Sequence, residues 1–236
     1  MAKLRFKDMI IREDENYTFI NKPPGISTLE DKRSETNILQ LARKEYPESQ
    51  VCHRLDKDTS GVLILAMHAS AYKFIASLFQ ARKIKKVYHA VVKGLHDIRN
   101  LENKMPLLQT GRGKSKVSFK GKDSVTYFTT LDTYRYHSKI ECIPLTGRTH
   151  QIRAHLQSIN APIVGDFEYG GEDILLSQLK KRFNLKKFTE ELPLIKRMAL
   201  HANSIEFNDM EGRKFHVEAP YPKDFAVLIK SLEKYR

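Results

Sequence analysis

A chain of 236 residues can bury a real core, as one catalytic domain or as two closely joined lobes. With 41% hydrophobic and 29% charged residues it falls outside the disordered class, and no apolar run approaches the roughly 20 residues that a bilayer-crossing helix needs. The 41 Lys and Arg against 28 Asp and Glu leave a formal charge of +13, which points to phosphate-rich polymers as partners. A membrane surface is the competing anionic partner. It would need a helix with a concentrated basic face, whereas these cations are spread along the chain beside Gly, Ser and Thr.

The N-terminus, Met1 to Lys7, is basic but lacks the apolar core of a signal peptide, and Cys52 and Cys142 are too few to staple a chain this long. Both features place the protein in a reducing, cytoplasmic setting. Met9–Ile11 and Tyr17–Ile20 read as short strands, ended by the rigid breaker Lys22-Pro23-Pro24-Gly25. Thr36 is positioned to cap a helix carrying Ile38, Leu39, Leu41 and Ala42, which stops before Pro47.

The stretch from Val51 to Ala66 sets Arg54, Asp56 and Asp58 between two apolar runs, which predicts strand, loop, strand with Asp56 at a strand end. Three readings of these residues compete with a chemical one. Asp56 or Asp58 can cap the turn through its own backbone. Asp56, Asp58, Ser60 and Gly61 imitate the first half of a calcium loop, but Met67 stands where a bidentate Glu is needed. Cys52 and His53 hint at zinc, yet neighbours on a strand point to opposite faces and no second ligand pair follows at suitable spacing.

Tyr72, Ile75, Ala76 and Phe79 recur at helical spacing, so Ala69 to Arg82 reads as an amphipathic helix with its aromatics in the core. Lys85 to Gly94 is strand-like, with Tyr88, Ala90 and Val92 on one face. Gly111 to Lys122 forms a cationic arm or hairpin, and Gly111-Arg112-Gly113 lacks the spacing of a P-loop. Strands are expected over Val125–Leu131 and Lys139–Leu145. Ile152, Leu156 and Ile159 predict a helix from Thr149 to Asn160, with Arg153 beside the stripe. His150 and His155 stand about 140° apart on it and cannot copy the same-face pair of a zinc protease. Gly171 to Leu192 looks like a polar helical insertion. Met198–Phe207 and Lys214–Val217 return to strand, and Asp224–Lys234 is a closing helix. No internal repeat is evident. Mixed strands and helices without a βαβ rhythm predict an α+β fold, a largely antiparallel mixed sheet with flanking helices.

Three segments taken together, His53-Arg54-Leu55-Asp56-Lys57-Asp58-Thr59-Ser60-Gly61, the strand from Lys86 to Gly94, and Pro144 to His155 with its Gly147-Arg148-Thr149-His150-Gln151-Ile152-Arg153, resemble the RluA-type pseudouridine synthases. Pro162 to Asp166 and Ala199-Leu200-His201-Ala202 look like that family's later landmarks, so the resemblance runs from about Ile10 to near the C-terminus. It implies a single pseudouridine synthase catalytic domain over 1–236, with no room for the N-terminal S4 domain that many relatives carry.

The implied reaction isomerises a uridine in ribosomal or transfer RNA: the N1–C1′ bond breaks, the base turns, and C5 joins C1′. Nothing is oxidised, so the resemblance implies no cofactor and no metal. It makes Asp56 the essential carboxylate, through attack at C1′, attack at C6 or a glycal route. Arg153 is implied as its basic partner, where a guanidinium within reach would keep the carboxylate ionised; on the residues alone, Arg153 is an ordinary helix-surface cation. Tyr88 is implied to stack on the flipped uracil and help proton loss from C5, although on its own it reads rather as a half-buried strand tyrosine; Leu200 is implied to pack against the base, with core leucine an equally good reading. Arg54, two residues before Asp56 and expected on the same side of the strand, is implied to fill the gap left by the flipped base. Arg148, Lys114, Lys116 and Lys122 are expected on phosphates. RNA is then the partner of a monomer that needs no membrane and no obligate protein. A non-catalytic RNA-binding protein on the same fold would not need Asp56, Tyr88 and Arg153 together, and a nuclease would need a carboxylate cluster that the sequence lacks.

Overall fold

The computed structural model describes residues 4–30, 36–111, 113–185 and 189–236. In chain order the elements are β1 (Ile10–Glu13), β2 (Tyr17–Lys22), α1 (Ile38–Glu45), β3 (Gln50–Val51), β4 (Ser60–Ala66), α2 (Ala69–Gln80), β5 (Lys85–Lys93) and β6 (Leu101–Asn103). There follow β7 (Leu107–Gln109), β8 (Ser115–Val117), β9 (Thr126–Thr133), β10 (His137–Pro144), α3 (Gln151–Ser158), α4 (Leu176–Leu179), β11 (Leu200–Asn208), β12 (Lys214–Glu218) and α5 (Lys223–Lys234). The chain divides into two compact units, one made of the residues up to Val87 with His201–Pro220, the other of Tyr88–Leu200 with Tyr221–Arg236.

In the first unit β2 pairs antiparallel with both β1 and β4, and β3 adds to β4. β11 lies parallel to β4 through His201 opposite Ser60, and β12 pairs antiparallel with β11. The period-two spacing of Tyr17 and Phe19, of Val62, Ile64 and Ala66, and of Phe215 and Val217 puts them in one core, onto which α2 packs Ala71 and Ile75. Phe207 and Phe215 stack there with ring centres 5.2 Å apart. Each such fully buried large side chain contributes about 1.5–3 kcal/mol. α1 is capped by Asn37, whose side chain accepts from the Gln40 amide while Gln40 returns the bond. The cap therefore falls one residue after Thr36, because Asn37 forms the reciprocal box.

In the second unit β5 pairs with β10, β10 with β9 and β9 with β6, all antiparallel. β10 alternates as expected of a strand with one covered face, burying Ser138, Ile140, Cys142 and Pro144. The hairpin β7–β8 shares a small core with α3 through Leu107, Val117, Ala154 and Tyr169. α5 buries Phe225, Leu228, Ile229 and Leu232, an i, i+3, i+4, i+7 stripe.

The helical expectation for 171–192 is met, among the described residues, only by the single turn of α4. Residues 186–188 of that span lie outside the described residues. Lys180, which follows α4 directly, is already extended (φ −93°, ψ 115°), and Arg182 beyond it takes a left-handed conformation (φ 57°), so the helix does not resume through this positive run.

Candidate active site

The loop that carries Asp56 belongs to the first unit, and long-range bonds fix it from several directions. Strand β3 ends at Val51, so Arg54 and Asp56 stand in the connection and not on a strand as expected. Their exposures still alternate, with Arg54 exposed, Leu55 buried and Asp56 half-buried. Leu55 is anchored by one hydroxyl that serves twice: Thr28 Oγ1 donates to the Leu55 carbonyl at 2.9 Å and accepts from its amide at 3.1 Å. The Thr59 amide donates to the Asp56 carbonyl at 3.1 Å, closing the turn.

The early breaker has a specific task. Lys22, with no exposed surface, donates its ammonium protons to the carbonyls of Pro23, Ile26 and Lys57 at 3.0, 2.9 and 3.0 Å. Gly25, at φ 82°, donates its amide to the same Lys57 carbonyl at 2.9 Å. A buried ammonium is tolerable only with its donors satisfied, and here all three protons find oxygen. The partners tie the Pro-Pro-Gly turn to the residue that follows Asp56.

Downstream of Asp56, Ser60 and Gly61 already belong to β4. Ser60 Oγ lies 2.9 Å from His201 Nδ1, and His201 Nε2 lies 3.1 Å from the Ala219 carbonyl, so the ring donates through Nε2 and accepts the serine proton. Gly61 takes φ 116°, and a Cβ there would sit 2.1 Å from the Ala202 carbonyl oxygen. Only glycine lets β11 approach β4 at this point. His53 is an acceptor for the Ile64 amide at 3.2 Å and tilts against Phe79; burial and the neighbouring Lys86 push it down to about 3. Lys86 itself is pushed down to about 8 by burial. Cys52 beside His53 is a half-buried thiol, raised to about 12 by desolvation. No group of His, Cys, Asp and Glu among the described residues could hold a metal ion.

The second unit holds Tyr88, Arg153, Arg148, Leu200 and the three lysines. Tyr88 on β5 lies opposite Cys142 of β10 and is 9% exposed. Leu200 opens β11, is 3% exposed, and accepts at its carbonyl from Arg197, whose guanidinium forks onto Asp224. Arg153 is not a surface cation. It is 8% exposed, its Nε and Nη2 meet the two Asp166 oxygens at 2.7 Å each, and Nη2 also meets Glu168 at 2.8 Å. Its guanidinium lies 4.5 Å above the Tyr169 ring. Such a fork fixes the plane of the guanidinium as well as its charge.

Glu168 joins Arg153 to the hairpin, because Lys114 reaches the same carboxylate at 3.2 Å. Burial opposes its ionisation, but Lys114, Arg153 and His150 outweigh that and hold it below the ordinary carboxylate range. Tyr169 Oη accepts from the Ser115 amide and donates to its carbonyl, both at 2.9 Å, which pins β8. Lys116 and Lys122 are exposed on the same hairpin region and stand apart from this cluster. Arg148, exposed at the start of α3, donates to the Asp123 carbonyl at 3.2 Å. His155 is buried between Thr126 Oγ1 and the Met105 carbonyl, and desolvation lowers its pKa. Sequence reasoning assigned no role to Lys22, Thr28 or Glu168. The lysine before Pro-Pro-Gly was the one available signal.

The first unit thus holds the Asp56 loop beside a parallel strand pair that admits only glycine, and the second unit holds a buried arginine forked onto two carboxylates. The family model for RNA pseudouridylate synthases matches residues 16–158, and the chain belongs to that family, an isomerase acting on RNA, as the RluA-type resemblance implied. The chain is similar to the ribosomal large subunit pseudouridine synthase C of Buchnera aphidicola subsp. Baizongia pistaciae, with 36% identity covering 96% of this chain and 71% of that protein. It is similar also to synthase D of Xanthomonas campestris pv. campestris, with 32% identity covering 95% and 69%. Among solved structures, human RNA pseudouridylate synthase domain containing 4 superposes with a TM-score of 0.73 at 22% identity over 97% of this chain and 94% of that one, a likeness of fold. The α+β expectation of a largely antiparallel mixed sheet with flanking helices holds. No helix among the described residues is long and apolar enough to cross a membrane.

Proposed function

We propose that the protein converts specific uridines of large-subunit ribosomal RNA to pseudouridine, with Asp56 as the essential carboxylate and the target base flipped out of its helix. The observation that carries this reading is the over-determined Asp56 loop: Lys22, Gly25 and Thr28 fix the backbone of its neighbours Leu55 and Lys57, and His201 holds the Ser60 side chain where β4 begins, while Asp56 stays half-buried. Fixing the backbone on both sides of Asp56 suits a residue whose position must be reproducible, more than a general RNA-binding surface requires. The choice of ribosomal RNA over transfer RNA rests on the names of the relatives.

Attack at C1′, attack at C6 and proton removal toward a glycal all begin from an ionised carboxylate. In each the N1–C1′ bond breaks, C5–C1′ forms, C5 loses a proton and N1 gains one, so mass is unchanged. Tyr88 stacks on the detached uracil, Leu200 packs against it, and Arg153 supplies positive charge. Extruding the base costs a few kcal/mol, and the exposed, flat guanidinium of Arg54 fills the gap. Arg148, Lys114, Lys116 and Lys122 hold phosphates. The enzyme works as a cytoplasmic monomer.

The test is carbodiimide-dependent reverse-transcription stops on RNA from cells lacking the protein, after incubation with the purified enzyme. New stops in large-subunit ribosomal RNA are expected with wild type. None are expected with Asp56→Asn, which should still bind RNA, while Arg54→Ala should slow flipping. Stops confined to transfer RNA would move the target; activity of Asp56→Asn equal to wild type would remove the assigned mechanism.

A further inference from the structure

The geometry points to Phe119 as a stacking platform for an unpaired base of the bound RNA, outside the set of residues assigned to the reaction; the inference rests on the RNA-substrate reading. Phe119 is 91% exposed, far beyond the other large apolar side chains of the described residues. The backbone beneath it is nevertheless tightly held. Ser118 donates its amide to the Pro106 carbonyl at 2.9 Å, Gly121 donates to the Ser118 carbonyl at 2.8 Å, and the Lys120 amide reaches Ser118 Oγ at 3.3 Å. Leu107 and Lys122 exchange both backbone bonds at 2.9 and 2.8 Å. Gly121 is pressed onto Leu107 so closely that a Cβ would come within 2.3 Å of its carbonyl carbon. Tyr169 clamps the preceding strand at Ser115.

The ring therefore stands on a fixed turn whose neighbours Leu107 and Val117 are drawn into the small core with α3. Displaying a phenyl ring to water while the adjacent apolar residues are packed forgoes the hydrophobic gain that burial gives those neighbours. The surrounding charge selects the occupant. Lys116, Lys120 and Lys122 are exposed around it, with Lys114 before them and Asp123 as the acidic neighbour. An apolar protein partner would have to desolvate those ammonium groups. A nucleotide meets both demands, since its base lies on the ring and its phosphates face the lysines. Because every base has a π-face, the contact tolerates sequence and favours an unpaired nucleotide over one stacked in a duplex.

The chain contains no tryptophan, so Phe119→Trp introduces a single indole reporter at the platform. Its emission should be quenched saturably by a single-stranded 12-nucleotide RNA of mixed sequence, and much less by the same sequence fully paired. Phe119→Ala should weaken binding of a large-subunit ribosomal RNA transcript about 5- to 150-fold, with KM raised by the same factor, whereas Phe119→Tyr should bind as wild type. Absence of quenching, with Phe119→Ala binding as tightly as wild type while pseudouridine still forms, would overturn the platform and leave the isomerase reading intact. A change of sedimentation in Phe119→Ala with unchanged RNA affinity would overturn it in favour of a second copy of the chain on the ring. Quenching by RNA in a preparation that forms no pseudouridine would uphold the platform and refute the isomerase reading.

Discussion

Asp166→Ala removes both acceptors of the fork that holds Arg153. The two side chains are 9% and 2% exposed, so the guanidinium left behind stays out of water. Removing one partner of a buried ion pair costs about 3–5 kcal/mol. Glu168 still accepts from Nη2 at 2.8 Å, so the lower end, about 3 kcal/mol, is expected. At roughly 2–4 °C per kcal/mol for a chain of this size, the melting temperature falls by about 6–12 °C. Urea unfolding followed by circular dichroism measures the loss directly. Asp166→Asn keeps the shape and one acceptor and should lose about half as much. Replacing both partners, as Asp166→Ala with Arg153→Met, should recover most of the loss, because an apolar pair carries no stranded charge. If Asp166→Ala stays within about 1 kcal/mol of wild type, or the cycle shows no coupling, the fork does not hold this part of the second unit.

Gly61→Ala should leave little folded protein, because its Cβ meets a backbone oxygen at 2.1 Å, while Gly25→Ala, with nothing within 4 Å, should cost about 1–3 kcal/mol from its positive φ alone; soluble yield and urea midpoints compare them. His53, held near 3 by burial and Lys86, stays neutral in the folded chain while the unfolded chain takes up a proton below its ordinary 6.5. Stability fully present above pH 6.5 is therefore lost as pH falls from 6.5 toward 3, by up to about 1.4 kcal/mol per pH unit. His137 and His155, also lowered by burial, add to the same slope. Urea midpoints at pH 7.5 and 5.5 should differ less in His53→Gln than in wild type, and equal differences would refute the assignment. Cys52, raised to about 12, and Cys142, raised well above the ordinary thiol range by burial, should resist iodoacetamide at pH 8 and react only on unfolding, as mass spectrometry of alkylated peptides would report.

The elements whose signal is local were legible. The stripe through Tyr72, Ile75 and Phe79 gave α2, Ile152 and Leu156 gave α3, and the alternation in β10 gave a strand with one covered face. The Asp56 loop was legible as a loop because charges interrupt two apolar runs. What escaped are facts made by partners distant in sequence. The breaker Lys22-Pro23-Pro24-Gly25 reads only as a rigid turn until the Lys57 carbonyl, 35 residues on, is brought to Lys22. Arg153 reads as a helix-surface cation because Asp166 and Glu168 come from the turn beyond the helix. Arg54 and Asp56 are expected beside a strand because exposure still alternates from Arg54 to Asp56, but Leu55 between them bonds to the Thr28 hydroxyl and not to a neighbouring strand.

The bond from Ser60 to His201 joins residues 141 apart in the chain, and β11 is the parallel neighbour that Gly61 accommodates. During synthesis the ribosome needs about 7–28 s to make that intervening length at 5–20 residues per second. Over that interval the segment with Asp56 has been made but lacks the strand that completes its mounting. The nascent chain thus presents the Asp56 loop beside the ribosome before the rest of the first unit exists, and the loop's mounting closes only once β11 has been made.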